Sequence, residues 1–213
     1  MPSRRRIVAS FLRRYTELPS AIDVLRMRRL TLLSPLTLDD KNDRASMQRY
    51  ASGSAHQSVL GLCFSQAAET FHHWKVFAPR SSGVCIDFHK KYLLAQVPKV
   101  GYKHRKVKYK RPVEFLADYP TSFDLPFLKG WAYRHEIEYR IVYVSEEVGL
   151  QAVSFPIELS AIRSIVLSPW LPAALVESTS ATLNSIDGCA NIPVVHSSVV
   201  ENEAWVAYVN RHA

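Results

Sequence analysis

Trp131-Ala132-Tyr133-Arg134-His135-Glu136-Ile137-Glu138-Tyr139-Arg140-Ile141-Val142-Tyr143 alternates in character along its second half. With a period of two, Ile137, Tyr139, Ile141 and Tyr143 share one face, rich in branched and aromatic side chains. Glu136, Glu138 and Arg140 share the other. The pattern predicts a strand, on which carboxylates two residues apart lie roughly 6.5–7 Å apart at the backbone and point the same way. That is close enough to share one bound molecule, with Arg140 holding one carboxylate ionised. Trp131 and Tyr133 add flat apolar surface just upstream. The same residues also fit a half-buried strand with a solvated charged face, where Glu-x-Glu-x-Arg is ladder electrostatics alone. Both readings stay open on these residues.

Around this segment, 213 residues allow one good core and are short for two. A hydrophobic share of 47% and a charged share of 22% are those of an ordinary globular domain. No apolar run approaches the ~18–20 residues of a membrane span. The basic start, Arg4 to Arg6, is followed by apolar residues cut at Arg13 and Arg14, which argues against a secretory signal. Cys63, Cys85 and Cys189 are odd in number and have no paired spacing, so neither a disulfide framework nor a zinc site is encoded. A cytoplasmic location is expected. The net charge of +8 is uneven: residues 1–144 hold 25 Lys/Arg against 12 Asp/Glu, and residues 145–213 hold 2 against 7. Such asymmetry points to an anionic partner on one side, with nucleic acid, a dinucleotide or another phosphate-rich ligand all qualifying.

Further strands are predicted at Phe11–Tyr15, Leu30–Ser34, Ser58–Phe64, Val84–Phe88, Val153–Ile157, Ile162–Leu167 and Ile192–Val195. Ser20 and Asp23 form a capping-box pattern for a first short helix. Helices are also expected over Arg44–Tyr50, Ala67–Phe77, Pro172–Ser185 and Glu201–Asn210. The polar loop Leu38–Asp43 lacks the spacing and glycine of an EF-hand and reads as a turn and cap. The densest basic run is Lys99 to Arg111, with Lys103, Arg105, Lys106, Lys108 and Lys110 threaded by Tyr102 and Tyr109. Cations interleaved with aromatics suit phosphate contact plus base stacking. A lysine-rich edge strand that resists aggregation is the alternative. Strands and helices interleave irregularly, so one α+β domain over 1–213 is expected, mostly antiparallel, with a core of about 12–145 and an extension over 146–213.

An ordered set of short motifs carries a resemblance: Leu30-Thr31-Leu32-Leu33-Ser34-Pro35, Asn42-Asp43, Cys63-Phe64-Ser65, Trp74-x-x-Phe77-Ala78, Gly83-Val84-Cys85-Ile86-x-Phe88 and Glu136-x-Glu138-Tyr139-Arg140. The chain resembles a widespread bacterial family of unassigned function, over roughly residues 12 to 145. The family's layout is in turn similar to the ADP-ribosyltransferases, including toxins that modify DNA or RNA. That likeness implies an ADP-ribosyltransferase-like split sheet and NAD as substrate. It implies Arg14 as the NAD-holding cation, with Tyr15 beside it, Ser34 at the second position, Glu138 as the catalytic glutamate and Glu136 on the acceptor side. Trp74, Tyr133 or Tyr139 would stack on nicotinamide. The first motif departs from the family's Tyr-Arg-Tyr, reading Arg13-Arg14-Tyr15, and Ser34 is followed by proline.

The chemistry suits these residues. Cleaving the nicotinamide–ribose bond passes through an oxocarbenium-like centre, which a fixed carboxylate stabilises. The implied function is transfer of ADP-ribose to a nucleic acid or protein, in a toxin or anti-phage setting, with an antitoxin or regulatory partner. Two other readings remain: a non-enzymatic nucleic-acid-binding module, and a metal-independent nuclease using His73 or His135 with Glu138. Neither a metal nor a membrane partner is expected.

Overall fold

The computed structural model describes residues 10–37, 40–52, 57–117 and 121–212, so Arg4 to Arg6 and Asp39 lie outside the described residues. In chain order its elements are β1 (Phe11–Glu17), α1 (Leu18–Met27), β2 (Arg29–Leu33), α2 (Lys41–Ser52), β3 (Ser58–Ser65), α3 (Phe71–Phe77), β4 (Gly83–His89) and α4 (Lys90–Gln96). There follow β5 (Tyr102–Lys106), β6 (Lys108–Lys110), α5 (Pro112–Ala117), β7 (Leu128–Gly130) and β8 (Glu138–Ser145). The chain ends with β9 (Ala152–Pro156), β10 (Ile162–Leu167), α6 (Ala173–Asn184), β11 (Val194–His196) and α7 (Glu203–His212). The expected α+β architecture is present, with mostly antiparallel pairing and flanking helices. Among the described residues, no helix is long and apolar enough to cross a membrane.

The chain groups into two compact units interleaved along the sequence. The first comprises Met1–Leu12, Arg29–Ala67 and Lys90–Ile157; the second comprises Arg13–Arg28, Ala68–His89 and Glu158–Ala213.

In the first unit, β3 and β8 are largely buried on both faces, which is why β3 reads as an apolar run rather than a clean alternation. They pair antiparallel from Ser58↔Ser145 to Ser65↔Glu138. Strand β5 lies on the far side of β8, from Tyr102↔Tyr143 to Lys106↔Tyr139, and β2 joins β3 to β9. Gly101 precedes β5 with φ of 78°, and an added Cβ would meet Tyr143 Cε2 at 2.6 Å, so glycine suits the turn. Met47, Tyr50, Val59, Phe127, Val142 and Val144 pack as one core cluster. A short parallel pair, β6 with β7, supplies Lys129.

In the second unit, β10 pairs antiparallel with β4 and parallel with β11. Tyr15, Trp74, Ala78 and Cys85 form its aromatic core. Helix α1 starts at Leu18 with Pro19 in its first turn, so Ser20 lies inside the helix instead of capping it. The helix expected from Ala67 begins only at Phe71. Thr70 caps it, its hydroxyl accepting from the His73 N–H at 3.2 Å.

Candidate active site

Glu138 opens β8, whereas Glu136 ends a 3₁₀ turn over Trp131–Glu136. Between them Ile137 has φ of 44°, a left-handed conformation that costs a β-branched residue on the order of 1–2 kcal/mol. The two glutamates are thus not successive positions on one strand face, as alternation predicts. They meet all the same on one cation: Lys129 Nζ lies 2.7 Å from Glu136 Oε2 and 3.1 Å from Glu138 Oε2.

Arg140 completes the group. Its Nε donates to Glu138 Oε1 at 2.6 Å, and its Nη1 and Nη2 grip Asp43 at 2.8 and 2.7 Å. Nη1 also donates to the Pro126 carbonyl at 2.8 Å. The Glu138 N–H donates to the Tyr109 hydroxyl at 2.8 Å. Ile137 is pinned by the Gln66 N–H on its carbonyl at 3.0 Å, and Ser65 Oγ donates to the Glu136 carbonyl at 2.7 Å. Opposite the long charged side chains of β8, β3 places the small Cys63 across from Arg140 and Ser65 across from Glu138. That pairing leaves room for the ion network. Glu138 is 4% exposed and Arg140 1%, so of the two open readings the solvated charged face gives way to a buried network. Buried charges persist only when paired and hydrogen-bonded, as these are.

The network separates the acidities of the two glutamates. Burial alone would raise the Glu138 carboxyl, but the charges of Arg140 and Lys129 outweigh it and hold it at about 2. Glu136 moves the other way, because burial raises it and Lys129 offsets only part. Burial works against the Lys129 ammonium, yet the two glutamate charges win and keep it protonated. Burial, then the Glu138 charge, pushes the Cys63 thiol up to about 12, so it is not a nucleophile.

A pH dependence follows. Glu138 starts from an ordinary value of 4.5 and is held at about 2 in the fold. Its contribution, on the order of 3 kcal/mol, is full above the ordinary value and lost as pH falls toward the folded one. The raised Glu136 carboxyl has the opposite sign and offsets part of that loss. Thermal melts between pH 5 and pH 2 are expected to show a falling midpoint, and Glu138→Gln should flatten the slope. A wild-type midpoint that stays level across that range would contradict the ion network.

Other residues singled out in the sequence take different places. Ser34 is buried, its N–H on the Gln151 carbonyl at 2.9 Å and its Oγ accepting from the Leu36 N–H at 3.4 Å. Because Leu33 pairs with Gly61 while Ser65 pairs with Glu138, Ser34 lies toward the opposite end of β3, roughly 14 Å or more from Glu138. The register thus removes Ser34 from the glutamate pair and puts Ser65 there. Tyr139 is buried, its hydroxyl 2.8 Å from His104 Nδ1 and its ring under Lys90 Nζ at 4.4 Å, so that ring face is taken. Tyr133 is half-buried with Lys129 Nζ 5.0 Å from its ring centre, and it keeps accessible surface beside the network.

Along the basic strands, Lys103 donates to the Tyr50 hydroxyl at 3.0 Å. Arg105 and Lys108 both face Asp124, at 2.7 and 3.8 Å, and Arg105 also covers the Phe127 ring at 4.4 Å. Lys106 is exposed and Lys110 half-buried. A cationic aromatic group that the strand reading missed lies nearby in the chain. Trp131, 39% exposed, has Arg111 4.8 Å and Arg134 5.2 Å from its ring centre.

In the second unit, Arg14 is half-buried on β1. Tyr15 stacks on His73 at 5.7 Å and meets Trp74 edge-on at 5.2 Å. Trp74 is wholly buried and donates from Nε1 to Glu69 at 2.7 Å, and His73 is buried with Nδ1 against the Thr70 hydroxyl at 2.5 Å. These rings are core, which corrects the expectation that Trp74 offers a stacking face and that Tyr15 lies open to a cofactor. It also withdraws His73 as an accessible general base; His135 is exposed. Among the described residues, no group of His, Cys, Asp and Glu is placed to hold a metal ion.

No family model matches the chain, and no curated protein matches it in sequence. Solved structures of Thermus sp. 2.9 DarT do align with it. The complex with NAD+ is 10% identical over 89% of this chain and 96% of that chain, with a TM-score of 0.45. The complex with ADP-ribosylated ssDNA is 13% identical over 89% and 94%, with a TM-score of 0.46. The complex with carba-NAD+ is 11% identical over 93% and 98%, with a TM-score of 0.44.

Proposed function

We propose that the chain is an NAD-dependent ADP-ribosyltransferase in which Glu138 and Glu136 divide the work. The observation that carries this reading is the pair itself: two carboxylates on one lysine, one held ionised and the other pushed up. Environments that drive two acids apart are how a site assigns a permanent anion and a proton carrier. The bond from ribose C1′ to the nicotinamide nitrogen breaks, its electron pair leaves with nicotinamide, and the ribose becomes oxocarbenium-like. Glu138 stabilises that charge, which exists only in the transition state. Glu136 takes the proton from the acceptor hydroxyl or amine as the new bond to C1′ forms. Among the described residues, Asp43, Glu136 and Glu138 pair with Lys129 and Arg140, and with all three acids ionised this group carries one net negative charge for this purpose. Tyr133 is the ring we place against nicotinamide. The deciding experiment is incubation with NAD labelled in its adenylate half, together with DNA, RNA and lysate protein, followed by a search for transferred label.

For the acceptor we favour single-stranded nucleic acid, with Lys106, Arg111 and Arg134 as phosphate contacts and Trp131 as a stacking surface. Modification of nucleic acid fits a cytoplasmic toxin or anti-phage effector restrained by a partner protein. Joint alanine replacement of Lys106, Arg111 and Arg134 is expected to weaken binding of any single strand alike. It should flatten the salt dependence by about 0.7 of a slope unit per lost contact. Replacing Arg105, already paired with Asp124 at 2.7 Å, should do less. Salt titrations by fluorescence anisotropy measure both, and unchanged affinity and slope in the triple variant would sink this choice of acceptor surface.

A further inference from the structure

Glu138 and Tyr139 project to opposite faces of β8, and on the Tyr139 face a cluster of cations gathers that the glutamate network does not use. Lys90, the first residue of α4, places Nζ 4.4 Å from the Tyr139 ring centre. Lys106 is directly across from Tyr139 in the β5–β8 pairing, and His104 is two residues away on the same face of β5. His104 Nδ1 lies 2.8 Å from the Tyr139 hydroxyl. Neither lysine makes an ion pair among the described residues, whereas Arg105, Lys129 and Arg140 in the same unit each meet a carboxylate. Burial, then the Lys106 charge, lowers the Lys90 ammonium; burial, then the Lys90 charge, lowers the His104 imidazole. Lysines on an edge strand resist aggregation, and that accounts for Lys106 on β5. It does not account for Lys90, which comes from a helix.

We infer that Lys90, His104 and Lys106 together hold one phosphate of a nucleic-acid strand, two ammoniums and one neutral N–H donor closing on its oxygens. This rests on the nucleic-acid reading above, with Lys106 common to both, and not on transfer of ADP-ribose. Tyr139 fixes the neutral donor. Its hydroxyl has no other partner among the described residues, and burial keeps it protonated, so it donates to His104 Nδ1. A neutral imidazole that accepts at Nδ1 carries its proton on Nε2, which has no protein partner among the described residues. His104 and Lys106 are exposed and Lys90 is half-buried, so all three can reach a ligand. Donors arriving from a helix and from a strand suit the spread oxygens of a phosphate, which lysine binds as a point charge. A strand gripped here is held across the sheet from the glutamate pair, away from the nucleotide that reacts. A free mononucleotide offers the same phosphate chemistry, and the test separates the two.

Anisotropy of a labelled DNA strand of about 12 nucleotides, titrated with the whole chain at several salt concentrations and without NAD, tests the inference. Lys90→Met, Lys106→Met and His104→Leu are each expected to weaken binding about 3–10-fold. The salt slopes distinguish one shared phosphate from scattered surface charge. Joint Lys90→Met and Lys106→Met should flatten the slope by about 0.7, where two lysines on separate phosphates would give about 1.4. His104→Leu should leave the slope unchanged, because a neutral donor releases no counterion. His104→Gln keeps an N–H donor and should bind nearly as wild type does. AMP should compete with the strand about 100-fold more weakly than unlabelled strand, since it brings one phosphate contact only. NAD affinity, read by calorimetry, should be the same in every variant. Strand binding unchanged in the Lys90 and His104 variants would overturn the site and leave the Arg111 and Arg134 surface standing. AMP that binds as tightly as the strand, and is lost in the same variants, would overturn the strand as occupant in favour of a mononucleotide. A parallel loss of NAD affinity would overturn a site separate from the cofactor. Wild type that binds no strand at all would overturn the nucleic-acid reading with it.

Discussion

Glu138→Gln is expected to lower NAD consumption by about 10²–10³, with NAD affinity changed by no more than a few fold. Glutamine keeps the size and shape of the side chain and removes the charge that meets the oxocarbenium. Losing one preorganised electrostatic group costs about that much in turnover. The effect belongs to the transition state, so affinity for the ground state is spared. Stability falls as well, because Arg140 and Lys129 lose a buried counter-charge, so rates must be taken per folded molecule. Glu136→Gln separates the roles, since it should spare nicotinamide release and depress transfer to the acceptor. Rapid nicotinamide assays with both variants give the answer. A chain that cleaves RNA or DNA without NAD, and loses this with Glu138→Gln, would be a nuclease. One that binds nucleic acid and never consumes NAD would be a binding module.

Arg140→Met should cost about 3–5 kcal/mol, the range for removing one partner from a buried ion network. For a chain of this size that is roughly 10 °C in the thermal midpoint. Arg140 is 1% exposed and holds Glu138 and Asp43 together, so methionine leaves two buried carboxylates facing Lys129 alone. Adding Asp43→Leu to Arg140→Met should recover part of the loss, since fewer charges are then stranded. Thermal and urea melts of the single and double variants form the test. A single variant as stable as wild type would mean that the network contributes nothing to folding.

Strands β3, β4 and β8 were legible because runs of branched and aromatic residues leave few alternatives, and the Glu138–Arg140 pairing follows from two-residue spacing on a strand. The rest of the network was not legible. Asp43 reaches Arg140 from 97 residues away, and no local pattern announces that. Lys129 comes from a three-residue strand too short to show a period. The aromatic residues misled for a related reason: Trp74 in a core and Trp74 against a ligand have the same sequence signature, and burial alone separates them. Arg105 and Lys108 counted as available charge until Asp124, on a turn over Ser122–Phe127, was found to face both. The placement of Ser34 depended on strand register, which the motif order does not encode.

The left-handed turn at Ile137 also inverts the ranking of substitutions there. Judged by side chain, valine would be the mild change and glycine the radical one. At φ of 44°, glycine, asparagine or aspartate is the more comfortable occupant, and valine keeps the whole backbone cost. The side chain is 45% exposed, so little packing compensates for its branch. Among related chains, the residue between the two glutamates should therefore be judged by backbone handedness. A small polar residue there would keep the turn, while a bulky look-alike would gain nothing.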